Sequence, residues 1–429
     1  MAAAWVSSLI FLGTLVLLLT DWAHRTIVAW AGAAAMITAG LVLGFYTQHQ
    51  ALAAIDFNTL ALLLGMMILM AMLAQTGVFE HLAVLAARSS GGSPWRLLVL
   101  LGTATTILSM YLNNMTVIAL IGPVTLRVAE KLRISAAPLL IAEAVLSNIG
   151  GTATLIGDPP NMLIGSAAGL TFNSFLLVLL PIVIAAYYPT LVTLHHAFGP
   201  QVDASPEQKT AADARALTDS IKDPAALRKL LVVLSLTIVL FVLQDVVRLQ
   251  AGFVAFAGAA LALVLLRPDP EVLVKEVEWN ALLFFVCLFV VVGGLEAAGV
   301  MNAVAGLLAG LVGPHVLLSA VLLIWVAAVL SAVVDNIPFV IAMIPIIKKL
   351  EAAGVAVEPL WWALALGAGF GGNGTPIGAS ANILAISLCE RAGQRITFRQ
   401  WVKYAGLATV VSCAVGTVVF LVIFGLIKN

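Results

Sequence analysis

Two aspartates stand in strings of small and polar residues inside a chain that is otherwise strongly apolar. Asp158 closes the run Ser147-Asn148-Ile149-Gly150-Gly151-Thr152-Ala153-Thr154-Leu155-Ile156-Gly157-Asp158 and is followed by Pro159-Pro160-Asn161. Asp335 is followed by Asn336-Ile337-Pro338. A carboxylate at the centre of a bilayer costs at least about 2.5 kcal/mol, so it reads as an ion ligand or a proton carrier. The rival role is helix capping, for which Asp158 before a Pro-Pro start is well suited, and the two roles are compatible. Asn113, Asn114, Asn148, Asn161, Asn336, Asn373 and Asn382 add carboxamides, and Thr152, Thr154 and Thr375 add hydroxyls that donate and accept. Together they make an oxygen-rich site for a cation or a small hydroxylated solute. No His or Cys accompanies the Asp and Asn groups, which speaks against a nucleophile with its base or a metal centre, so no enzyme, metal or cofactor is expected. Glu143 and Glu296 are weaker candidates, since each could reach an interface or a basic partner.

The elements that position these residues must be membrane helices. Of 429 residues, 62% are hydrophobic and 10% charged, a composition that needs lipid as solvent. Apolar runs recur almost without pause, enough for about ten to twelve membrane elements of roughly 20 residues each. Continuous runs such as 231–243 and 316–330 exclude the alternating pattern of an outer-membrane barrel, so the fold class is an all-α polytopic membrane protein. The first run, 5–20, lacks a basic lead and a cleavage site and is expected to be a retained span. Lys and Arg number 21 against 21 Asp and Glu, which gives no basic surface for nucleic acid. Cys287, Cys389 and Cys413 fit neither zinc nor disulfide spacing and read as packing residues.

Backbone at membrane depth must satisfy its own hydrogen bonds, so non-helical chain is tolerated only where it is buried in protein or lines a watered cavity. Pro159 and Pro160 remove two donors after a glycine-loosened turn, which predicts a broken helix there, and Gly369, Gly371, Gly372, Gly374 and Pro376 predict another. These breaks are related. Asn58 and the run after it return 222 residues later at Asn280, and at that offset Ser109, Asn113, Asn114 and Pro123 face Ser331, Asp335, Asn336 and Pro345. One residue less, 221, brings Gly150-Gly151, Thr154, Gly157 and Asn161 onto Gly371-Gly372, Thr375, Gly378 and Asn382. Tandem duplication is the direct reading. It divides the chain into a first repeat (1–194, hairpin about 97–130, broken helix about 136–170), a polar linker (195–229) and a second repeat (230–429, hairpin about 314–348, broken helix about 359–390). Arg88 and Arg96 precede the first hairpin and Arg127, Lys131 and Arg133 end it, which predicts a re-entrant element with both ends cytoplasmic. The second should enter from the opposite side, although Lys348 and Lys349 would then face outward. Paired interrupted segments of this kind mark the binding site of a transporter.

The string from Ser147 to Asn161, with Asp335-Asn336-Ile337-Pro338 and Gly371-Gly372-Asn373-Gly374-Thr375, resembles the arsenite permease and NhaD-type sodium/proton antiporter group of the ion transporter superfamily, of which the melanosomal P protein is a relative. The resemblance covers nearly the whole chain. It implies a scaffold and a mobile transport domain, two opposed hairpins, two unwound helices and elevator-like alternating access. It gathers Asn113, Asn114, Asn148, Thr152 and Asp158 with Asp335, Asn336, Asn373, Thr375 and Asn382 into one site. The function implied is export of arsenite or antimonite in exchange for protons through Asp158 or Asp335; the alternatives are sodium/proton antiport and, more remotely, a passive channel. The proton gradient, or a sodium gradient, supplies the energy, and a small inorganic solute or cation is the partner. The resemblance also admits a homodimer and association with an arsenite-stimulated ATPase, in a bacterial inner membrane. Dicarboxylate carriers of the superfamily carry Ser-Asn-Thr at both tips, unlike Asn113-Asn114-Met115-Thr116 and Asp335-Asn336-Ile337-Pro338 here. With Asp335 at one tip and no Arg or Lys near either in sequence, an anionic substrate is not expected.

Overall fold

The computed structural model describes residues 1–20, 23–91, 93–202, 221–312 and 315–426. All regular structure among them is helical, as the apolar runs predict. Among the described residues seven helices are long and apolar enough to cross a bilayer, including Arg25–Leu43, Phe57–Gln75, Phe172–Phe198 and Trp279–Ala297, and five shorter apolar helices accompany them. Large apolar side chains such as Trp5, Val42, Leu177, Val246, Leu307 and Val418 face outward, the surface a lipid-solvated protein presents.

Two helical hairpins and two broken helices form the centre. In the first hairpin, Pro94–Ser109 starts at Ser93, whose hydroxyl accepts from the Arg96 amide, and Asn114–Lys131 starts at Asn113, whose carboxamide accepts from the Met115 amide at 3.1 Å. The second consists of Val316–Val333 and Asn336–Ala352, the latter capped by Asp335 on the Ile337 amide at 3.3 Å. An arm of 16 residues such as Pro94–Ser109 reaches about 24 Å at about 1.5 Å per residue, short of a hydrocarbon core of about 30 Å. The first broken helix runs Ala137–Gly151 and resumes at Pro159–Ala168; the second runs Glu358–Gly371, turns through Gly372–Gly374 and resumes at Ser380–Arg391.

The linker is shorter than its polarity suggests. Helix Phe172–Phe198 carries His195 and His196, with the His195 ring 4.1 Å from Trp95, and helix Pro224–Val247 begins before Lys229 because Asp223 caps the amides of Ala225 and Ala226. Polar side chains at helix ends serve as caps and interfacial anchors, so polarity alone misplaces the boundary; residues 203–220 of the predicted linker lie outside the described residues.

Each hairpin's first arm packs along the longer piece of its own broken helix: Pro94–Ser109 on Ala137–Gly151, and Val316–Val333 on Glu358–Gly371. Around this centre lie Arg25–Leu43 packed between Ala2–Leu19 and Trp279–Ala297, and Phe57–Gln75 packed on Ala251–Leu266. The arm contacts are close enough that a Cβ on Gly150 would overlap the Thr106 backbone and one on Gly371 would overlap that of Ala328. Gly150→Ala and Gly371→Ala are therefore expected to cost about 1–3 kcal/mol each by overpacking, read as a lower melting temperature of the detergent-solubilised protein. Gly306→Ala, in helix Val300–Val312 with open space around the added methyl, should leave that temperature unchanged or raise it slightly.

Candidate functional site

The two breaks are built by one scheme used twice. Thr154 donates its hydroxyl to the Met110 carbonyl at the first hairpin's turn, and Thr375 donates to the Ala332 carbonyl in the second. Asn161 turns its amide back onto the carbonyls of Gly151, Thr152 and Thr154 at 3.3, 3.1 and 2.8 Å, and Asn382 reaches those of Gly372 and Thr375 at 2.8 and 2.9 Å. These carbonyls end a helix where no helical amide follows, and the carboxamides replace the water they would bind elsewhere. Gly157 and Gly378 sit where a Cβ would strike the carbonyls of Gly151 and Gly372. The groups predicted as ligands at 154, 161, 375 and 382 are thus engaged with backbone.

Where the two broken helices meet, Asn148 donates to the carboxamide oxygens of Asn373 at 2.7 Å and Asn382 at 3.0 Å. Asn373 donates its own amide to the Val145 carbonyl at 3.2 Å, so both partners present only oxygen to Asn148. That fixes the orientation of the Asn148 side chain and leaves its oxygen buried without a partner. Thr152 bonds back to the Asn148 carbonyl at 2.9 Å and lies against Gly369, with no room for a Cβ there.

Beside this crossing is a cavity of about 40 Å³. The structure brings Asn113, Asn114, Asn148, Asp158 and Asn336 to its wall, together with Arg25, Glu278 and Ser380 and the side chains of Met67, Met115, Phe284 and Phe285. Thr152, Thr154, Asn161, Asn373, Thr375 and Asn382 do not line it, and Asp335 lines an adjoining cavity of about 370 Å³. The Asn114 carboxamide oxygen, like that of Asn148, is buried without a partner. Asp158 opens Pro159–Ala168 but makes no capping bond, so the cap expected of it is not used; its carboxyl faces Asn114, lies within charge range of Asp335 and pairs with no cationic side chain among the described residues. Asp335 does cap its helix.

Arg25 corrects the sequence reading. Its guanidinium stands 3.2 Å from the Asp335 carboxylate and 3.0 Å from the Ser380 hydroxyl, so the tip does have a basic neighbour, and the sequence argument against an anionic substrate loses its premise. Nothing local marks Arg25: it opens an apolar helix 310 residues from Asp335 and reads as an ordinary flanking charge. Glu278, which accepts from Thr116 at 2.9 Å, was missed for the same reason. Glu143 is buried away from the cavity, with one oxygen bonded to Thr125 at 2.6 Å and the other unpartnered; Glu296 pairs with Lys349 at 3.5 Å. The three cysteines are buried and none lines the central cavity, as packing residues would be.

The family model described as "Citrate transporter", CitMHS, matches residues 15–367. The chain belongs to this family. CitMHS proteins are transporters and not enzymes, and this chain is an integral membrane transporter. An uncharacterized transporter of Mycobacterium tuberculosis is 39% identical over 96% of this chain and 97% of its own length, and a 46 kDa membrane protein of Mycobacterium leprae is 40% identical over 94% and 95%. The human P protein is 33% identical over 97% of this chain, which spans 59% of the P protein's length. The expected kinship with the P protein is therefore present, whereas the matching family model is that of the citrate transporters and not of arsenite permeases. The crystal structure of the Alcanivorax borkumensis YdaH transporter, which its authors describe as having an unusual topology, shares the fold with a TM-score of 0.57 at 14% identity, over 99% of this chain and 98% of that one.

Asn382→Ala strips partners from two buried carbonyls and from the Asn148 amide, at about 1–3 kcal/mol for each group left unsatisfied. The expected result is a marked fall in melting temperature in detergent, which Asn382→Asp, lacking the donor, does not rescue.

Proposed function

We propose that this CitMHS member is a secondary transporter that exports arsenite or antimonite in exchange for protons, by elevator-like alternating access in a bacterial inner membrane. The observation that carries this reading is the oxygen-rich wall of the central cavity, to which Asn113, Asn114, Asn148 and Asn336 bring carboxamides and Asp158 and Glu278 bring carboxylates that pair with no cationic side chain among the described residues. Such a wall calls for a solute that brings hydroxyl donors or positive charge. Arsenite at neutral pH is an uncharged trihydroxide and brings three donors.

Charge favours it over citrate. Arg25, the single cationic side chain on the wall among the described residues, is already paired with Asp335, so a tricarboxylate would lack counter-charges. Met67 and Met115 place soft thioethers on the wall, and Met66, Met67, Met70 and Met162 line an adjoining cavity of about 170 Å³, donors that suit a soft element better than a hard cation. The driving force is sufficient, since one proton crossing about 100 mV supplies about 2.3 kcal/mol, near fifty-fold accumulation. Sodium/proton antiport is the second reading, favoured by the same oxygen-rich wall, which suits sodium equally well. Mycobacterial relatives support the bacterial membrane; a homodimer and an assisting ATPase are compatible with it.

Everted vesicles energised by a proton gradient test this. Wild type should accumulate arsenite, and Asp158→Asn or Asp335→Asn should lower the rate at least about tenfold, equivalent to about 1.4 kcal/mol of barrier. Sodium-dependent proton release without arsenite accumulation would replace this reading by the sodium antiporter, and gradient-driven citrate uptake would overturn both.

A further inference from the structure

We propose that Arg25 is a tethered counter-ion of the transport site, a fixed cation that holds Asp335 whenever no transported proton or cation does. This rests on the coupled-exchange reading above. Arg25 is carried by Arg25–Leu43, which packs between Ala2–Leu19 and Trp279–Ala297, whereas its two partners belong to the centre: Asp335 to the second hairpin and Ser380 to the second broken helix. The pair therefore bridges the flanking helices and the central unit, and any sliding of one past the other must break it.

Its position is also that of a partition. Arg25 and Phe284 line both the central cavity and the cavity of about 370 Å³ beside it, so these two residues stand between them. The central cavity also shares Met67, Asn113 and Glu278 with the methionine-lined cavity, whose charged lining residues are Glu276 and Glu278. One neighbouring cavity is thus acidic, and the other carries a fixed positive charge on the wall it shares with the central cavity. The charged and titratable groups around the pair are Asp158, Glu278 and, in the larger cavity, His24. Arginine stays charged, so the pair is released when Asp335 takes a proton or a cation. Loading and movement are linked in this way: the unloaded carboxylate is latched to the flanking helices and the loaded one is not. Without Arg25, the carboxylates of Asp158, Glu278 and Asp335 would line the two adjoining cavities with no arginine or lysine among the described lining residues to keep protons from crossing alone.

The test uses the full chain in sodium-free liposomes with an internal pH dye, comparing proton flux with and without arsenite, and again with sodium added. Arg25→Gln is expected to leak protons in the absence of solute about tenfold faster than wild type; adding Asp335→Asn should abolish that leak, and Arg25→Lys, which keeps the charge, should stay tight. The reciprocal exchange Arg25→Asp with Asp335→Arg restores the pair and should also be tight, which covers the case in which Arg25→Gln does not fold. A folded Arg25→Gln that is tight, whether active or inactive, overturns the inference, as does a leak that survives Asp335→Asn or a leaking reciprocal exchange. Wild type without proton flux driven by either solute refutes the proposed exchange itself, whereas a coupled wild type with a tight Arg25→Gln refutes only the role of Arg25.

Discussion

Backbone that leaves the helix inside a membrane has no water to bind, and the centre of this transporter is organised around that constraint. Opening a helix exposes carbonyls on one side of the break and amides on the other. Here the carbonyls are answered by Asn161 and Asn382, each the third residue after the position that opens the resumed helix, while Thr154 and Thr375 pin each break to the turn of its own hairpin. The glycines admit these partners by leaving out the Cβ that would collide with them. Much of the polarity in the motif therefore makes the break possible, and a smaller part is left for a solute.

Duplication supplied the frame twice, but the chemistry is not symmetric. Asn148 and Gly369 occupy equivalent positions, as do Thr152 and Asn373. Across the crossing, Asn148 meets Asn373 through a hydrogen bond while Thr152 meets Gly369 by packing, so equivalent contacts became one polar and one steric. The carboxylates follow the same rule: Asp335 faces Asn113 in the repeat, and Asp158 faces Ala379. The acidic groups around the site, Asp158 from the first half and Glu278 and Asp335 from the second, thus stand at positions the repeat does not relate to one another.

Charge around the cavity is balanced from outside the motifs. Arg25 offsets Asp335, whereas Asp158 is left facing carboxamides, which divides the two aspartates by environment. The Asn114 and Asn148 oxygens are buried without a donor among the described residues. Cargo in such a site is read by a few side chains on a retained fold.

The amino-acid sequence by itself determined that the chain lives in lipid, that it is helical, that its halves repeat and where each helix must break. Those follow from composition, from proline and glycine chemistry and from an offset that any reader can count. It also named five residues of the cavity wall, Asn113, Asn114, Asn148, Asp158 and Asn336. What only the tertiary structure decided is which polar groups remain available. Thr152, Thr154, Asn161, Asn373, Thr375 and Asn382 have the same composition signal as those that line the cavity, because a carboxamide that caps a carbonyl and one that faces a solute are the same residue type. Arg25, Glu278 and Ser380 reach the site across long sequence separations from unremarkable surroundings, and an ion pair between residues 310 apart has no local trace. Pattern reports what a segment needs for its own backbone; proximity between segments is decided by packing.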